Sequence, residues 1–130
     1  MKIELIAHDD VERVWPILEP FIIAACNYPT AEATPNTLKT NCMSGECGLL
    51  RLNDGSGAAA VWVEDDVLHI GYLGGVLPPN WVSNLTMWLK VAAIHFHAKK
   101  IVGGGRKGWQ RKLIPYGWQG DGKDKVWCSV

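Results

Sequence analysis

Between residues 101 and 113 the chain reads IVGGGRKGWQRKL. Gly103, Gly105 and Gly108 fall there on the spacing G-x-G-x-x-G, after a β-like run and before a helix-like one. Glycines at that spacing let a backbone approach a pyrophosphate at a helix N-terminus, so dinucleotide binding is the first chemistry to test. Around the same stretch Lys99, Lys100, Arg106, Lys107, Arg111 and Lys112 are interleaved with Trp109 and Trp118. Cations among aromatic faces are what single-stranded nucleic acid binding uses. The other reactive groups are four cysteines (Cys26, Cys42, Cys47 and Cys128), His69 behind the acidic trio Glu64, Asp65 and Asp66, and Tyr116.

Most of these readings fail on context. A dinucleotide fingerprint needs an acidic residue further on and more parallel sheet beyond, but the short remainder after Gly108 contains the turn-forming GDGKDK. No phosphate-binding G-x-x-x-x-G-K-[ST] occurs either. Trp109, Leu113 and Tyr116 lie at i, i+4 and i+7, a core-facing helical stripe inside a solvated basic rim. Thirteen basic and thirteen acidic residues cancel, giving no global pull toward nucleic acid or anionic lipid. Cys42 and Cys47 have no paired histidines nearby, so no metal site is expected, and His95 and His97, two apart on a helix, cannot share one. MKIELIAHDD lacks an apolar signal region, which predicts four reduced thiols and a cytoplasmic protein. PILEPFIIAAC is too short and interrupted for a membrane span.

The elements that must position any site follow from periodicity. At 130 residues, 48% hydrophobic and 20% charged, the chain reads as a single globular domain over residues 1–130. KIELIA (2–7) is a strand, followed by a helix with Val11, Val14, Trp15 and Leu18 at helical spacing; Asp9 or Asp10 would cap it, and Pro16 and Pro20 should bend or break it. A second helix over 34–46 would be capped by Thr34 and stopped by Gly45 after the connecting loop 27–33. Strands at 47–53, 57–64 and 66–74 form an antiparallel meander, with Leu68, Ile70 and Tyr72 on one face and Val67, His69, Gly71 and Leu73 on the other. The strongest helix signal, 77–100, carries Trp81, Leu85, Trp88, Leu89, Ala92 and Phe96 as its stripe. A strand at 100–103, a helix at 106–117 and a strand at 124–130 complete a mixed α/β domain. Trp62 should lie opposite Val61 and Val63, Trp109 should bury against the sheet, and Trp118, beside a polar turn, should matter less.

The order β-α-α-β-β-β-α-β-α-β, closed by a short helix running into Gly-aromatic, resembles the GCN5-related N-acetyltransferase fold. In that family the segment after the fifth strand reads N-x-x-A-x-x-x-[FY]-Y-x-x-x-G-F, and RKGWQRKLIPYGW has its length and its ending, with Gly117-Trp118 for Gly-Phe. It is also similar to the GR-x-GW-x-R-x-L-x-x-x-G-[FW] ending of small acetyltransferase-like proteins of tailed phages. The resemblance implies a central, mostly antiparallel sheet of six or seven strands with about four helices.

It further implies acetyl-CoA as cofactor and an amine acceptor. The family's phosphate nest, [QR]-x-x-G-x-[GA], maps to GGVLPPNWVS (74–83), so cofactor contacts would come from Gly74, Gly75, Asn80, Trp81, Val82 and Ser83. No Gln or Arg leads the motif, and Pro78 and Pro79 lack the N–H groups that hold phosphate. The family's catalytic tyrosine maps to Leu113 and its asparagine near Arg106; Tyr116 stands one helical turn away as the remaining acid, and His69 on the fourth strand as a base. Two functions stay open: an acyl-CoA-dependent N-acyltransferase, and a catalytically silent domain of the same fold serving as a phage virion or host-interaction protein. The partner is then an amine substrate or another protein, a homodimer staying open; no membrane or nucleic acid is expected.

Overall fold

A computed structural model describes residues 1–28, 31–104 and 107–130. Gly105 and Arg106, at the centre of the glycine motif, and two residues of the loop 27–33 lie outside the described residues.

Strand β1 (Ile3–Ile6) leads through a short 3-10 turn into helix α1 (Val11–Cys26). Val11, Val14, Trp15, Leu18, Ile22 and Ala25 form its buried stripe. Contrary to the sequence expectation, Pro16 and Pro20 leave the helix unbroken. Both prolines are exposed, so the carbonyls they leave unbonded sit on the wet side while the buried stripe holds the helix down. Asp10 occupies the N-cap position without a side-chain bond. Helix α2 (Pro35–Ser44) is capped as expected: the Thr37 amide donates to Thr34 Oγ1 at 3.2 Å, and Gly45 closes the helix at φ 88°.

Strands β2 (Gly48–Leu52), β3 (Gly57–Glu64) and β4 (Val67–Gly75) form the meander, β3 and β4 joined by the two left-handed residues Asp65 and Asp66. Such a pair matches the twist of a tight hairpin. Helix α3 (Trp81–His95) crosses to β5 (Lys100–Gly104); α4 (Lys107–Leu113) and a 3-10 turn at Ile114–Tyr116 lead to a hairpin of β6 (Gln119–Gly120) and β7 (Lys125–Ser129). The seven strands lie in the order β1-β2-β3-β4-β5-β7-β6. β4 and β5 pair in parallel, and the other neighbours antiparallel.

Helices cover both sheet faces. α1 and α2 pack on Ile6, Leu49, Ala58 and Ala60, and α3 packs on Leu50, Leu52, Ala59, Val61, Leu68, Ile70 and Ile101. The buried stripe of α3 is Val82, Leu85, Thr86, Leu89 and Ala93, rotated from the expected one. Small Val82 and Ala93 bring the helix axis close to the sheet, so the wide indoles of Trp81 and Trp88 fit only along its margins, half-buried, and Phe96 is exposed. Burying a leucine as completely as Leu89 stabilises the fold by about 1.5–3 kcal/mol. Trp118 is buried and its Nε1 donates to Thr86 Oγ1 at 2.9 Å, which corrects the expectation that it matters less than its neighbours. Among the described residues no helix is long and apolar enough to cross a membrane.

Candidate functional site

The site begins where the sheet comes apart. β4 and β5 pair only from Val67 to Ile70 and from Lys100 to Gly103. β4 then runs on to Gly75 whereas β5 ends at Gly104, so among the described residues the last part of β4 has no strand on that side. It also carries a bulge. Ala60 faces Gly71 and Ala58 faces Gly74, so Ala59 stands opposite two residues, and Tyr72 takes φ 56°. A bulge shifts the inside–outside alternation by one. Tyr72 therefore packs on the α1 side with Trp62, and Leu73 on the α3 side. The expected alternation, with Tyr72 beside Ile70 and Leu73 beside His69, fails here for that reason.

The end of β4 is bare because α1 lies against it. A Cβ on Gly74 would stand 2.5 Å from the Phe21 carbonyl oxygen, and Gly75, at φ 127°, is pressed on the backbone of Ser56 and Gly57. Only glycine fits both places.

Two cavities open at the parting, one on each sheet face. The first, of about 150 Å³, is lined by Trp62, His69 and Tyr72 from β3 and β4, by Tyr28 and Glu32, and by Asp124 and Lys125. His69 stacks flat on Trp62, ring centres 5.4 Å apart and planes within 1°; Tyr72 tilts against the same indole at 6.1 Å. Burial holds the His69 imidazole below its ordinary pKa of 6.5; Glu64 and Asp65 oppose this, and Lys125 and Lys100 add to it. At neutral pH it is thus an uncharged ring with a proton-accepting nitrogen. Burial pushes the Tyr72 phenol up, against the opposing effect of the Ala33 amide, so it stays protonated.

The second cavity, of about 390 Å³, is lined by Leu73, Gly74, Gly75, Val76, Leu77, Trp81, Gly108, Trp109 and Lys112. Lys112 Nζ sits 5.9 Å from the centre of the Trp81 ring. Leu73 and Trp109 line both cavities and form the wall between them.

Of the residues singled out in the sequence, His69 lies in the first cavity, and Gly74, Gly75 and Trp81 in the second. Asn80, Val82 and Ser83 line neither: the Asn80 carbonyl is taken by the Asn84 side chain at 2.8 Å, Val82 is in the core, and Ser83 is exposed. The Trp81 amide bonds to the Pro78 carbonyl at 3.0 Å, which leaves the Val82 and Ser83 amides as the open donors of the first turn of α3. Tyr116 lines neither cavity. After Leu113, which is buried, the chain tightens into the 3-10 turn and carries Tyr116 outward to 48% exposure. Sequence reasoning missed Trp62, Tyr72, Trp109, Lys112 and the carboxylates Glu32 and Asp124. No local signal marks residues that only strand order brings together; the phase shift at Tyr72 was equally silent.

A CoA thioester fits this arrangement in part. The edge of β4 that has no strand partner among the described residues suits the amides of a pantetheine arm, and Lys112 adds a cation at the second cavity; the Val82 and Ser83 amides stand at the start of α3 but line neither cavity. The two prolines remove two donors that a full nest would have.

Solved structures share the architecture. PaiA N-acetyltransferase from Thermoplasma acidophilum, in complex with coenzyme A, matches 100% of this chain and 100% of its own at TM-score 0.64 and 11% identity. IAA acetyltransferase from Bacillus cereus matches 99% of both chains at TM-score 0.66 and 10% identity. N-acetylglutamate synthase from Neisseria gonorrhoeae, complexed with coenzyme A and N-acetyl-glutamate, matches 99% of this chain at TM-score 0.65 and 12% identity. Of that synthase the chain spans only about a third, 35% of its length. No family model and no curated protein sequence matches the chain. The fold is that of the GCN5-related N-acetyltransferases, with its mixed, mostly antiparallel seven-stranded sheet.

Proposed function

We propose that this chain is an acyl-CoA-dependent N-acyltransferase that transfers its acyl group at the parting of β4 and β5. One observation carries the reading: two cavities on opposite sheet faces meet at Leu73 and Trp109, beside strand edges with no partner. That is the geometry a two-substrate transfer needs, with donor and acceptor arriving from opposite sides and touching at one point. Neighbours of the same fold crystallised with coenzyme A support the choice of donor.

Gly74, Gly75, Trp81 and Lys112 would hold the donor in the second cavity. When bound, the thioester supplies the activated carbonyl. His69, neutral through burial, would take the proton that the acceptor nitrogen loses as its bond to the acyl carbon forms and the thioester C–S bond breaks, and would return it to the departing sulfur. Leu73 and Trp109 keep water from the junction. Tyr116 is given no role in this reading, since it lines neither cavity.

Calorimetric titration with acetyl-CoA tests the reading. Micromolar binding that weakens on Lys112→Ala is expected. No heat at millimolar ligand would overturn the proposal and favour the silent interaction domain, in a virion or elsewhere.

A further inference from the structure

The first cavity has features that a generic amine site does not require. Resting on the acyltransferase reading above, we infer that its acceptor is a small primary amine with a flat, ring-sized apolar body: an arylalkylamine without a carboxylate. Size comes first. A cavity near 150 Å³, walled by aromatic rings and by a few charged groups, accommodates about one benzene-sized ring. A folded polyamine or a protein segment would leave the aromatic walls unused.

The walls come second. Trp62, Tyr72 and Trp109 bring three aromatic side chains to one cavity, and the Trp62 indole is already in stacking geometry with His69. Offset or edge-on contact of a fourth ring with such faces adds about 0.5–1.5 kcal/mol beyond simple burial. The same faces attract an ammonium group, which a neutral or anionic acceptor would not exploit.

Charge comes third. Glu32 and Asp124 both line the cavity, and neither takes part in an ion pair among the described residues. Among the described residues Lys125 is the one cation in the lining, since His69 is neutral at neutral pH. The excess of carboxylate draws a cationic amine in and disfavours an acceptor that brings its own carboxylate.

The probes are 2-phenylethylamine, phenylalanine and spermidine, each titrated calorimetrically into the full chain with and without saturating acetyl-CoA. 2-Phenylethylamine is expected to bind at least about tenfold more tightly than either competitor, and Glu32→Gln with Asp124→Asn to weaken it about tenfold. Neither residue lines the second cavity, so acetyl-CoA affinity measured on the double variant reports whether the fold has been disturbed. Tighter binding of phenylalanine or spermidine overturns the inference, as does an unchanged affinity in the double variant. The two readings fail separately: acetyl-CoA binding without the amine preference sinks only this inference, and amine binding without acetyl-CoA binding sinks only the acyltransferase reading.

Discussion

Gly74→Ala is the sharpest test of how the site is held. The new methyl would lie 2.5 Å from the Phe21 carbonyl oxygen and 3.3 Å from its carbon, where ordinary contact begins near 3.4 Å. Phe21 is in the middle of α1, and the offending atoms are backbone, so no rotamer change can relieve the clash. Either α1 lifts from the sheet or the end of β4 moves. Overpacking of this kind costs about 1–3 kcal/mol, and with rigid neighbours the upper half of that range applies. For a domain of this length about 2–3 kcal/mol lowers the melting temperature by roughly 8–12 °C. Thermal unfolding followed by circular dichroism reads it. Gly108→Ala is the control: its methyl meets no atom within 4 Å and it lies on a helix, so it should be neutral or stabilising by up to about 1 kcal/mol. Melting of Gly74→Ala within about 2 °C of the parent would refute the close packing of α1 on β4.

Three further outcomes follow from particular contacts. Trp118→Phe strands the Thr86 hydroxyl in the core and should cost about 1–3 kcal/mol, whereas adding Thr86→Val should recover most of it; strict additivity of the two would show that the hydrogen bond at 2.9 Å is not worth forming. Because the folded pKa of His69 lies below 6.5, the unfolded chain binds more protons just under that value, so this residue lowers stability as pH falls through 6.5 toward the folded pKa. His69→Gln should therefore narrow the difference in melting temperature between about pH 7.5 and about pH 5.5, and a difference as wide as the parent's would exclude this linkage. The same variant should slow acyl transfer about a hundredfold or more without changing acetyl-CoA affinity. Burial pushes the Cys42 thiol up to about 12, so a thiol reagent at mildly alkaline pH should leave Cys42 unlabelled in the native protein; fast labelling there, located by mass spectrometry, would contradict it.

The fold was largely legible because its elements carry their own signals. Thr34 and Gly45 announce the ends of α2, and the 3.6-residue recurrence of Val11, Val14, Trp15 and Leu18 announces α1. The failures share one cause, which is that neighbours in space decided what the local pattern left free. Which of the overlapping apolar stripes of α3 turned inward depended on how near Val82 and Ala93 let it come to the sheet. Tyr72 changed faces because Ala59 stands opposite two residues, a fact recorded on another strand. His69, Gly74, Gly75 and Trp81 could be picked out because they lie near the end of one strand or at the start of the helix that follows it. Glu32 and Asp124 could not, being at nearly opposite ends of the chain.

The short parallel ladder between β4 and β5 also governs the order of assembly. From β2 to β4 the sheet grows by hairpins between residues close in sequence, and β6 and β7 form another such hairpin. The ladder joining Val67–Ile70 to Lys100–Gly103 must wait for the chain to loop through α3, as β1 on β2 must wait for α1 and α2, and non-local pairings of this type are slow to form. Each cavity takes walls from both sides of that ladder: Trp62, His69 and Tyr72 from the early half, Trp109, Asp124 and Lys125 from the late one. A chain in which residues 107–130 have not yet docked therefore carries only part of each cavity's lining. Once both halves have docked, any ligand that spans the seam acts as a clasp, raising the free energy needed to separate them in proportion to the logarithm of its concentration.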